Sequence, residues 1–184
     1  MVYGSKKLHT QIPLTYLLLF SPAVDRDTII AWYSPLNFFL PQADVFRGHQ
    51  SGTGAWFLKH KVFQEWKSMS GKILWCPGMP GAGKTVLSSV VVHHLRTNPP
   101  TDNIGVAAIY LNHKESVEHS PSKLLAGLWR QLIFRKSISP EIQKLYEDHC
   151  EPHTRPSAAE DLAVLRSVVS EYSKVFVVVD ALDE

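Results

Sequence analysis

Apolar positions fall into two kinds of pattern along the chain. Continuous runs at 73–76, 104–111 and 175–179 are rich in β-branched and aromatic residues, the mark of short strands buried in a parallel sheet. Between them apolar residues recur at helical spacing. Val86, Leu87, Val90, Val91 and Leu95 make one stripe, and Asn98-Pro99-Pro100 stops that helix. Ser120-Pro121 opens a second helix, with Leu124, Leu125, Leu128, Trp129, Leu132 and Ile133 on one face. A shorter helix follows Ser139-Pro140. Ser157 with Glu160 forms a capping box for the helix carrying Leu162, Leu165, Val168, Val169 and Tyr172, which leads into the last strand. Upstream, a helix is expected over 55–66, capped by Thr53 or Ser51, with Trp56, Val62, Phe63 and Trp66 packed on the core. Strand and helix alternate, as in a doubly wound α/β layer.

Size and composition refine this only slightly. The 184 residues, 45% hydrophobic, suit one globular unit, read as a weakly ordered leader at 1–27, a helical segment at 28–70 and an α/β core at 71–184. A formal charge of +2 argues against an electrostatic nucleic-acid partner. Lys6-Lys7 precede an apolar stretch at 14–20 that is too short to span a bilayer and is interrupted at its edge by Pro13, so neither membrane nor secretion is expected, and the location is read as cytoplasmic. Cys76 and Cys150 lie far apart in sequence and make no disulfide framework; Cys76 reads as a small buried residue. His149, Cys150 and His153 lack the further spaced ligands that a metal site needs.

The chemistry is concentrated in two runs. Gly78, Met79, Pro80, Gly81, Ala82, Gly83, Lys84 and Thr85 fit the P-loop pattern, placed between the first strand and the first core helix. Glycines there let successive N–H groups turn inward, and the helix start adds its positive dipole end, which together make a phosphate nest. Lys84 is positioned to reach the terminal phosphates of ATP or GTP, and the Thr85 hydroxyl to ligate Mg2+. The second run is the apolar strand 175–179 ending in Asp180-Ala181-Leu182-Asp183-Glu184. An acid at the carboxyl end of a buried parallel strand faces the crevice where α/β sheets bind ligands. Asp180 is therefore the second magnesium ligand, through the ion's water shell. The position after it holds Ala181, so Asp183 and Glu184 are the candidates to orient and deprotonate an attacking water.

A small residue after the aspartate, two acids beyond it, and Pro80 before Gly-Ala-Gly-Lys-Thr resemble the NACHT pattern of signal-transduction NTPases. The resemblance extends upstream through Trp32-Tyr33-Ser34-Pro35-Leu36-Asn37-Phe38, residues 50–58 and Phe63-Gln64-Glu65-Trp66. These stretches look like the nephrocystin-3-like region preceding the NACHT domain in fungal NOD-like receptor and ankyrin-repeat proteins. The resemblance implies an incomplete P-loop NTPase sheet, a nucleotide-dependent switch with at most slow hydrolysis, and a downstream repeat domain or partner chain. It also implies that a later strand inserts between the first strand and the acidic one, so that these two are second neighbours across an open slot and the core is marginally stable alone. Two other readings keep the P-loop. One is a nucleotide-binding module without turnover; the other, a small-molecule kinase, lacks an Arg-rich lid segment after the helix.

Overall fold

The computed structural model describes residues 24–111 and 119–181. Four helices come first: α1 (Arg26–Tyr33), α2 (Phe39–Gly48), α3 (Ala55–Lys59) and α4 (Lys61–Ser68). The core follows as α5 (Lys84–Thr97), β1 (Ile104–Tyr110), α6 (Pro121–Leu132), α7 (Pro140–Cys150), α8 (Ala158–Ser170) and β2 (Lys174–Asp180). The molecule is thus a mixed helix and strand fold around a two-stranded parallel sheet. The strands run in register from Ile104 opposite Lys174 to Tyr110 opposite Asp180. Of the leader, residues 1–23 lie outside the described residues, and with them the apolar stretch at 14–20.

Helix ends follow the sequence signals closely. Ser120 caps α6 by accepting from Lys123 N, with Pro121 at the first turn. Ser157 and Glu160 close a reciprocal capping box on α8. The upstream helix differs from its expectation. It breaks at His60, whose extended backbone ends α3 and whose Nδ1 accepts from Val62 N to start α4. Two short helices therefore replace one long one. As a result Trp56 and Val62 face solvent, at 67% and 48% exposure, while Phe63 is fully buried and Trp66 sets its ring 5.1 Å from that of Phe176. The start of α3 is capped by neither Thr53 nor Ser51. Gly54 occupies that position in a left-handed conformation, and a Cβ there would press within 3.2 Å of Leu87 and Val90 on α5.

Alternate β2 residues Phe176, Val178 and Asp180 face α4 and α5, and α6 packs against α8 and β1. The outer edge of β1 is closed by side chains. Gln131 donates to Ala108 O at 2.8 Å and accepts from Ala108 N at 3.0 Å, taking the place of a neighbouring strand. Arg96 ties this cap together, donating to Gln131 Oε1, Gln42 Oε1 and Val106 O.

The other edge is different. Residues 73–76 form no strand, and β2 pairs with β1 alone among the described residues. Ile73 is 93% exposed and Cys76 is also exposed, against the expectation of a buried strand ending in a buried thiol. The run 175–179 is not buried on both faces: Val177 and Val179 are 45% and 41% exposed. Both departures have one physical cause. No described element lies beside the outer edge of β2 to pair with 73–76 or cover those valines.

Candidate functional site

The loop before α5 is built by two left-handed glycines, Gly81 at φ 77° and Gly83 at φ 86°. A side chain at either would have open space around its Cβ, so it is the backbone angle and not crowding that calls for glycine. Gly83 is also the N-cap of α5 and supplies no side-chain acceptor, which leaves the first N–H groups of this 14-residue helix without a side-chain cap. A tight turn, Ala82 N to Met79 O at 3.1 Å, closes the loop. Lys84 folds over it, with Nζ donating to Gly78 O at 2.8 Å. Residues 78–83 and Thr85 are all exposed, so the concave run of backbone is open to a ligand.

Beside this loop lies a cavity of about 800 Å³, well within the range of small-molecule sites. Gly78, Ala82, Gly83 and Lys84 form one side. Leu74, Trp75 and Cys76 form another, and Val177, Val178, Val179 and Asp180 a third. His49, Thr53, Phe57 and His60 close it from the helical segment upstream. The cavity thus fills the slot between 74–78 and the free edge of β2, and the loop opens into it.

Asp180 sits at the carboxyl end of β2 with only 5% exposure. Ser88 Oγ donates to its Oδ1 at 3.1 Å across 92 positions of sequence. Opposite Asp180 in the ladder, Tyr110 is buried with its hydroxyl unpartnered. Burial first, and then the charge of Asp180, push that phenol well above its ordinary range.

The structure brings the loop, Lys84 and Asp180 around one cavity. Thr85 stands exposed and outside its lining, and the contact from α5 to Asp180 is made by Ser88 instead. Sequence reasoning passed over Ser88, although it lies four residues after Lys84 and therefore on the same helix face. Asp183 and Glu184 lie outside the described residues. His149, one of the declined metal candidates, has Thr154 Oγ1 at 2.6 Å and Glu160 Oε1 at 3.5 Å. Among the described residues no helix is long and apolar enough to cross a membrane.

The donor set suits a triphosphate with a hard cation. The loop offers backbone N–H groups and an ammonium for phosphate oxygens and Asp180 a carboxylate for the cation, while the Thr85 hydroxyl stands exposed outside the cavity lining.

The family model for the nephrocystin 3 N-terminal region matches residues 52–184, which takes in α3, α4, the loop, the sheet and the acidic end. No curated protein and no solved structure matches the chain.

Proposed function

The chain belongs to the nephrocystin 3 N-terminal family, and from the residues of its loop and acidic strand we propose that it is a nucleotide-binding module of the NACHT type, taking ATP or GTP with Mg2+ and turning it over slowly at most. The observation that carries the reading is the loop itself. Two left-handed glycines, an uncapped helix start and the lysine folded over the loop converge on a cavity with a buried aspartate on its far side.

The residues divide the work. Backbone N–H groups of 78–83 cradle phosphate oxygens, and Lys84 exchanges its bond to Gly78 O for the terminal phosphates. Thr85 and Asp180 would hold the metal, offering a hydroxyl and a carboxylate as hard oxygen donors. A bound magnesium supplies charge neutralisation between the phosphates. Asp183 and Glu184 orient and deprotonate the attacking water, a role assigned from sequence position.

Lys84→Ala tests this reading. Its side chain lies over an exposed loop and contributes little to packing, so the melting temperature without ligand should stay nearly unchanged while triphosphate affinity disappears. Equal affinity in the variant and the wild type overturns the proposal.

A further inference from the structure

Two adjacent serines on α5 make different bonds. Ser89 is fully buried and donates back to Val86 O of its own helix at 2.8 Å, the usual resort of a serine inside a helix. Ser88 instead sends its hydroxyl out of the helix to Asp180 Oδ1 at 3.1 Å. It is the only hydrogen bond described between α5 and the acid, and it bridges the helix that starts at the phosphate loop and the strand that carries the carboxylate.

Asp180 needs such an anchor. The residue is 5% exposed, and a carboxylate taken out of water is costly unless its oxygens are hydrogen-bonded. Thr85, the hydroxyl expected to share the metal with it, is turned to solvent. The neighbouring Tyr110 hydroxyl is buried without a partner, so water does not reach this end of the sheet to solvate the carboxylate.

We infer that Ser88 is the positioning residue of the magnesium site, its hydroxyl holding one carboxylate oxygen of Asp180 against α5 and leaving the second oxygen for the water shell of a magnesium–triphosphate. The inference rests on the nucleotide-binding reading above and adds a residue to it. Ser88 touches neither phosphate nor metal in this assignment; it acts through Asp180. Partners of this outer kind set the direction of the liganding oxygen, and their loss typically costs about 10- to 100-fold in metal affinity.

The test is the ratio of triphosphate affinity with Mg2+ to affinity in EDTA, measured by calorimetric titration with ATP and with GTP for the wild type, Ser88→Ala and Ser88→Thr, each with its melting temperature. Ser88→Ala is expected to lose about tenfold of the magnesium enhancement while keeping its affinity in EDTA, and Ser88→Thr, which restores the hydroxyl, to regain it. A structural tether alone would lower the melting temperature of Ser88→Ala and leave the ratio as in the wild type; that result overturns the inference and spares the nucleotide reading. If the wild type binds no triphosphate, or binds it equally well in EDTA, the nucleotide reading falls and takes this inference with it.

Discussion

At the scale of single residues, polar side chains tie the loop, the acidic strand end and the sheet edge to their neighbours. Lys84 is held by a carbonyl of its own loop, Asp180 by Ser88, and the β1 edge by Gln131. The last of these is a stability element. Gln131→Ala strips both partners from the buried backbone of Ala108 and frees Arg96 of one acceptor, so it should destabilise the fold by about 2–3 kcal/mol, read from denaturant unfolding. A change under about 0.5 kcal/mol would show that the cap is ornamental. The acids beyond Asp180 give a kinetic prediction. A group that orients water acts mainly in the transition state, so Asp183→Asn or Glu184→Gln should keep nucleotide affinity and lose hydrolysis. Equal turnover in both variants and the wild type, followed by phosphate release, would remove these residues from the catalytic role.

Among the elements, those fixed by local chemistry were legible from sequence and those fixed by tertiary packing were not. The starts of α6 and α8 were marked by Ser-Pro and by a Ser/Glu capping box, and the structure has both caps. The apolar runs gave β1 and β2 to within a residue. The stretch 73–76 carries the same composition but makes no strand, because a strand requires a partner and none lies beside it. The break at His60 was hidden because periodicity continues through it, and the left-handed Gly54 before α3 packs where a Cβ would meet Leu87 and Val90 of α5. At the candidate site, the glycines marked a turn before α5, and Gly81 and Gly83 do take left-handed conformations there. The Ser88 contact was not legible, since it depends on how α5 lies across β2.

The capping box of α8 can be checked by acid unfolding. Hydrogen bonds from Ser157, first its backbone N–H and then its hydroxyl, hold the Glu160 carboxyl below the ordinary carboxylate range. A carboxyl with a lowered folded pKa stabilises above its unfolded value, near about 4.3, and that stabilisation disappears as pH falls through the folded value. Ser157→Ala removes the hydroxyl and keeps the backbone N–H, so it should lower stability at neutral pH, and the gap to wild type should narrow below about pH 4. A pH-independent gap would assign the loss to something other than the box.

Across the whole molecule, the two sheet edges are treated in opposite ways. The β1 edge is closed by Gln131 and Arg96, whereas the β2 edge borders the cavity, with Trp75, Val177 and Val179 exposed around it. An unpaired apolar edge is a template for association. The 184-residue chain should therefore associate with rising concentration in light scattering, and Val177→Lys should reduce this without loss of secondary structure. A wild type that stays monomeric across the range would show the edge to be covered in solution. The same opening bears on the proposed ligand's affinity, because the cavity assigned to it borders the β2 edge that no strand among the described residues pairs with. Calorimetric titration of the wild type with ATP and GTP, with Mg2+ and with EDTA, tests the central claim most directly. Weak, saturable, one-to-one binding that strengthens with Mg2+ is the predicted result; no binding of either triphosphate, or binding indifferent to the metal, would contradict it.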